Sequence, residues 1–435
     1  MFSPLASPRL AALICVGSAL LSLDLIGQER CTYGEWTRPR IVRKTFDDSA
    51  SIHPLSIAEG PRILVVTAEF PPLVDGGRNL GDSHTPIAVV RNLVTGQEME
   101  IAKPRHDMSY RAVRALIDTK DVVHLFWGEI AGQSTADTTG GTGATQLWTM
   151  TVGRNGADAP RLLYASRAAR WDDSADEQLT FSDGAGTLYV LLPAEVGATR
   201  HPFVMLSFSN GSWSNERVEV GRIVVPAAVS GTARDGAIHV VFTSPDINSQ
   251  RADFASVFVT TRPSSTSAWT TARLVQGAIG HGAQHPVIAT APGGRVRAFW
   301  LQPGESDGIF EASEIRGVEL NRAGEIVHGN LLFHSPVNLL EIHSTWSDVC
   351  STTYLHVITG LVGDRMSART VSWDGARWSD LDVFNDQFWF VGRSVISDGD
   401  AKQLRRLWSS AFFAPGLPIM AFWWESTRRL VIPTR

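Results

Sequence analysis

PAAVSGTARDGAIHVVF, residues 226–242, is a short alternating segment, an Arg-Asp-Gly turn and then a strongly apolar run. Alternation of period two marks a half-buried strand, Asp-Gly marks a tight hairpin, and the apolar run marks a strand covered on both faces. The same phrase returns as HPLSIAEGPRILVVT from His53, RAVRALIDTKDVVHLFW from Arg111 and EQLTFSDGAGTLYVLL from Glu177. It returns again as HPVIATAPGGRVRAFW from His285, LEIHSTWSDVCSTTYLHVI from Leu340 and GRSVISDGDAKQLRRLW from Gly392. Successive second strands lie about 50–65 residues apart, the length of a four-stranded propeller blade. The expected fold is all-β, a propeller of seven four-stranded blades, with six blades as the alternative.

The blades fill the rest of the chain consistently. Third strands are predicted at Ile87–Arg91, Gln146–Val152, Phe203–Ser207, Ala255–Thr261, Ile309–Ile315, Met366–Ser372 and Ile419–Trp424, and outer strands at Glu216–Val220, Trp269–Val275, Ile326–Phe333 and Trp378–Phe384. The segment Trp36–Lys44 looks like an outer strand although it precedes the first blade. It is expected to complete the last blade beside the C-terminal strands, a position for which Arg428–Pro433 competes. Gln133–Thr145 and Asp75–Ser83 read as long loops.

Composition narrows the function classes. A hydrophobic content of 43% with 19% charged residues describes an ordinary globular protein. The 39 basic and 44 acidic residues leave a net charge of -5, and no basic run interleaves with aromatics, so nucleic acid is not an expected partner. Arg9 ahead of the apolar stretch Leu10–Leu23 reads as an export signal occupying residues 1–27, or as an N-terminal anchor if it is not cleaved. Residues 28–435 then form a single propeller domain, secreted, periplasmic or at the cell surface, with membrane contact only through that uncleaved segment. Of three cysteines, Cys15 lies within the signal, leaving Cys31 and Cys350 either as a disulfide or as two buried thiols.

Two segments, SFSNGSWSNERV from Ser207 and SWDGARWSDLDV from Ser372, resemble degenerate Asp boxes of the sialidase-like, BNR-repeat propellers. In that family the hairpin is structural, so the resemblance implies a fold. The first segment has Ser209 in place of the Asp, and both bring their Trp, Trp213 and Trp378, one position early. Pro61-Arg62-Ile63-Leu64 echoes the family's aromatic-Arg-Ile-Pro motif at two positions only. The resemblance implies a Tyr/Glu nucleophile pair, for which five tyrosines, Tyr33, Tyr110, Tyr164, Tyr189 and Tyr354, leave few options, and the last three lie in strand-like runs.

In a propeller, polar groups at the leading ends of the inner strands converge near the axis. Aligning the phrases places His53, Arg111, Glu177, His285, Glu341 and Arg393 there, as a ligand-binding ring or as a self-satisfied lining. His-Pro steps at His53, His201 and His285 lack acidic or cysteine partners at metal-ligand spacing, and no cofactor motif is present. The expected function is a non-catalytic glycan- or protein-binding module, with a sialidase-like glycoside hydrolase as the alternative.

Overall fold

The computed structural model describes residues 40–44, 51–59, 63–70, 87–92, 95–104, 111–130, 145–166, 171, 179–183, 185–193, 202–221, 226–245, 255–276, 282–290, 295–303, 312–347, 352–361, 365–380, 382–383, 409–410, 421–424 and 429–432. Throughout these residues the chain is all-β and the sheets are antiparallel.

Four successive units are separate sheets. The first comprises Ser51–Glu59, Ile63–Phe70, Ala88–Asn92 and Glu98–Ile101. The second comprises Arg111–Ile117, Val123–Ile130, Thr145–Gly153 and Arg161–Ser166, with the short Gly156–Ala157 turned back on its third strand. The third is Thr180–Ser182, Leu188–Pro193, Phe203–Ser209 and Ser212–Val218, and the fourth Ala228–Arg234, Ala237–Pro245, Ala255–Arg262 and Arg273–Gln276. The fifth and sixth units share a strand. Ile326–Ser347 pairs by its first half with Ala312–Leu320, which follows Gln284–Thr290 and Val296–Gln302, and by its second half with Thr352–Leu361, which leads on to Arg365–Trp373 and Asp382–Val383.

Each sheet is built as the phrase dictates. In the fourth unit, Asp235 and Gly236 take positive φ (51° and 78°), the two-residue hairpin that Arg234-Asp235-Gly236 predicts. Third strands stand at the expected places, Phe203–Ser209 and Arg365–Trp373 among them. Of the outer strand expected over Trp378–Phe384, the described residues show Asp382–Val383 and a bridge between Trp373 and Trp378.

The terminal sheet confirms one expectation and corrects another. Arg40–Lys44 pairs with Arg429–Ile432, which pairs with Ala421–Trp424 and through it with Ser409–Ser410. The N-terminal segment therefore does complete the C-terminal sheet. It does not displace the C-terminal run, because a strand has two edges and Arg429–Ile432 uses both. Among the described strands, Ala421–Trp424, expected as a third strand, lies between Ser409–Ser410 and Arg429–Ile432, and the first strand expected from Gly392 lies outside the described residues. Cys31 and Cys350, Glu177, Arg393 and the export segment lie outside the described residues.

The core consists of layers between consecutive sheets. Leu125 and Trp127 of the second unit pack with Val66 and Ala88 of the first, Val241 and Val259 of the fourth with Ala298 and Trp300 of the fifth, and Phe299 and Leu301 of the fifth with Val371 and Trp373 of the sixth. The two Asp-box-like hairpins each drive a Trp into such a layer. Trp213 stands edge-on to Phe126 of the preceding unit at 5.7 Å, and Trp378 meets Phe299 of its preceding unit at 5.5 Å. Asp374 keeps the structural role expected of the box, its Oδ1 accepting the Ala376 and Arg377 N–H groups at 2.8 Å each.

Close approach dictates one glycine. A Cβ on Gly231 would stand 2.3 Å from Cε1 of Phe181, which crosses from the third unit. Gly231→Ala is therefore expected to destabilise by about 1–3 kcal/mol through overpacking, read as a lower urea midpoint at unchanged slope. A neutral result would show that Phe181 moves aside freely.

One polar position recurs at the seams. The second residue of successive apolar runs is His124, Tyr189, His239 and Arg297, paired across to Thr151, Ser207, Thr261 and Glu319 on the third strands. His124 meets Phe208 of the third unit at 5.1 Å, and Arg297 donates to Thr353 and Trp373 of the sixth. Each of these two side chains reaches the following sheet.

Candidate functional site

First strands of consecutive units lie side by side. Ser51–Glu59 packs beside Arg111–Ile117, that strand beside Thr180–Ser182, then Ala228–Arg234, Gln284–Thr290 and the long strand Ile326–Ser347. Ser51–Glu59 also packs against Ser409–Ser410 and Ala421–Trp424 of the terminal sheet.

Four of the six predicted ligand-binding residues fall within these strands, near their leading ends. His53 is third in Ser51–Glu59, Arg111 opens Arg111–Ile117, His285 is second in Gln284–Thr290, and Glu341 follows Leu339 where Ile326–Ser347 begins to pair with Thr352–Leu361. The backbone brings their strands together; their relation to Glu177 and Arg393 falls outside the described residues.

All four strands are irregular at that point. The register slips between Pro54 and Ser56, between Arg111 and Arg114, between Gln284 and Val287, and between Leu339 and Glu341. Each slip places an extra residue on the first strand, which is a β-bulge, and His285 within its bulge has a φ of 47°. The fourth unit supplied no candidate, and its first strand pairs in regular register from Ala228 to Arg234. A bulge re-aims side chains and is favoured at sheet rims and beside binding sites. It also defeats counting by alternation, since every residue beyond it changes face.

Other polar residues at this end escaped sequence reading. Five positions beyond the recurring seam residue stand Glu129, Ser244 and Gln302, all buried. Glu129 Oε1 accepts the Trp127 indole N–H at 3.0 Å, and Gly128 between them pairs with Arg111. The Trp171 ring lies against Gly128, where a Cβ would come within 2.6 Å of it, and the Arg114 guanidinium sits 5.3 Å from the centre of the same ring. In the fifth unit Gln302 accepts from Gln276 Nε2 at 2.8 Å and donates to the carbonyls of Gly282 and Pro303. Their signal was present as a polar residue closing an apolar run, HLFWGE and RAFWLQ, but that pattern equally suits an ordinary strand terminus. Trp127 and Trp300, both fully buried, stand opposite the bulges of the second and fifth units. They fill the space between sheets and are not presented for stacking on a ligand. Among the described residues no group of three or more His, Cys, Asp or Glu side chains is gathered as a metal site would require.

Comparison with known proteins adds resemblances of shape. No family model and no curated protein matches the chain. Among solved structures, the β-propeller domain of the Trilobed protease from Pyrococcus furiosus is 9% identical, with a TM-score of 0.45 over 90% of this chain and 94% of that one. An ulvan lyase, a polysaccharide lyase bound to a GlcA(1-4)Rha3S unit, is 12% identical, with a TM-score of 0.45 over 78% of this chain and 86% of that one. An α-L-arabinanase from Penicillium chrysogenum in complex with arabinobiose is 9% identical, with a TM-score of 0.39 over 75% and 93%. At such distances the activity of this chain has to be argued from its own residues.

Proposed function

We propose that this chain is an exported seven-bladed β-propeller that binds a glycan, without cleaving it, at the leading ends of its first strands. The reading rests on one observation, the four β-bulges that coincide with His53, Arg111, His285 and Glu341 on strands lying side by side. In the proposed ring Glu177 and Arg393 supply the third and seventh positions. Arg111 and Arg393 donate to ligand oxygens, His53 and His285 donate or accept, and Glu177 and Glu341 accept hydroxyl protons. The buried carboxylate of Glu129 is engaged with an indole N–H inside the structure, which suits support of the rim more than proton transfer to a ligand.

The test is a glycan array probed with the full chain and with Arg111→Ala, Arg393→Ala and Glu177→Gln. Each variant is expected to lose at least about tenfold in affinity, the effect of removing one charged hydrogen-bond partner. Unchanged binding by all three would discard the axial site. Turnover in a parallel screen of fluorogenic glycosides would discard the non-catalytic reading and leave the site standing.

A further inference from the structure

We propose that the joint between the fourth and fifth units is acid-labile, opening locally at His239 ahead of the seam between the second and third units. His239 is buried on the same side of its strand as Val241, which packs in the layer shared with the fifth unit. Its Nδ1 lies 3.0 Å from Thr261 Oγ1 on the third strand. Across the joint comes the hairpin Asn321–Glu325, from which Arg322 reaches back to donate to the carbonyls of Asp235 and Pro263. Gly324 of the same hairpin fits against Thr261 so closely that a Cβ would lie 2.5 Å from its Oγ1. One strand further in, Thr232 and Thr290 hydroxyls meet at 3.2 Å across the two units.

The charges around this imidazole are those of a site built for its neutral form. Arg322 is the charged group that faces it from the fifth unit. Arg262 on the third strand is committed to Glu216, and in the turn below Arg234 and Asp235 face each other at 4.0 Å. Glu325 accepts from Asn321 within the hairpin. Burial and the Arg322 guanidinium push the His239 pKa down to about 3. An exposed histidine takes up its proton near about pH 6.5, so the opened joint binds a proton that the closed joint refuses. Stability is complete above that value, and the closed-to-open ratio falls about tenfold for each unit of pH below it, down to about pH 3.

The second-to-third seam provides an internal contrast. His124 occupies the same strand position, but its Nε2 lies 3.3 Å from Asp118 Oδ2. Burial lowers its pKa while Asp118 opposes that shift, and Lys120, in the intervening turn, has its backbone N–H bonded to the same carboxylate. Thr151, across the strand pair, is hydrogen-bonded to Asp158. A counter-charge in place makes this seam less responsive to acid.

Hydrogen exchange of the full chain, followed by mass spectrometry and corrected for intrinsic rates between about pH 7 and about pH 4.5, reads the two seams separately. Peptides covering 232–242, 257–262 and 320–326 are expected to lose protection about tenfold per pH unit below about 6.5, with a smaller loss at 116–126. In His239→Gln the dependence at the first set disappears. Loss of protection at the same rate in all units, or an unaltered dependence in His239→Gln, overturns the proposal. If that variant does not fold, the contrast between the two seams in the unaltered chain decides, equal losses counting against it.

Discussion

Arg297→Ala is expected to cost about 3–5 kcal/mol of stability, the usual effect of stranding one member of a buried ion pair. Both partners are essentially inaccessible, at 1% for Arg297 and 3% for Glu319, and they meet at 2.9 Å. The guanidinium also donates to the Trp373 carbonyl at 3.0 Å and to Thr353 Oγ1 at 3.3 Å, so one side chain ties the fifth unit to two strands of the sixth. Its removal leaves the Glu319 carboxylate in the seam, with the half-exposed Arg295 at 3.4 Å as a distant substitute. Arg297→Met combined with Glu319→Leu is expected to regain most of the loss, because the desolvation cost of both charges disappears together. Urea titration of both variants checks this. A single-variant loss below about 1 kcal/mol would mean that water reaches the pair and screens it.

Trp127→Ala is expected to be of similar size, about 3–5 kcal/mol, from the cavity left by a fully buried indole. A second effect distinguishes it from simple cavity formation. The indole N–H is a donor to Glu129 Oε1, so Trp127→Phe, which preserves much of the volume, is still expected to lose about 1–3 kcal/mol for the buried, charge-assisted hydrogen bond it removes. Trp127→Phe combined with Glu129→Gln should recover part of that. Because Trp127 stands opposite the bulge at Ala112 and Val113, the same variants are expected to disturb Arg111 and weaken the proposed glycan binding. Thermal denaturation and the glycan array, read together, separate the two consequences.

The repeat was legible because it is written in the strongest local signals a sequence carries, alternation followed by an apolar run with a turn between. Arg234-Asp235-Gly236 became a hairpin with two positive φ values for the reason its chemistry requires. The pairing of the N-terminal segment with the C-terminal strands was legible too, since Trp36–Lys44 had the pattern of an outer strand although it preceded the first repeat. The fifth and sixth units were harder, because a single run from Ile326 to Ser347 serves as the outer strand of one and the inner strand of the next without a turn between them.

The leading ends of the first strands could be located but not oriented. A bulge is one surplus residue, and Leu55 or Leu340 looks in sequence like any other apolar strand position. The recurring seam residues were hidden differently. His124, Tyr189, His239 and Arg297 are not one residue type, and only the shared register against Thr151, Ser207, Thr261 and Glu319 reveals them as one structural position.

The pairing of Arg40 with Ile432 carries a consequence for biosynthesis. A nascent chain emerging amino end first holds Arg40–Lys44 without that mate until Arg429–Ile432, nearly four hundred residues later, has been made. The earlier sheets can stack as they appear, but this one must wait for its distant strand, leaving an unsatisfied edge on offer to chaperones, or to another unfinished copy, while the intervening units are made.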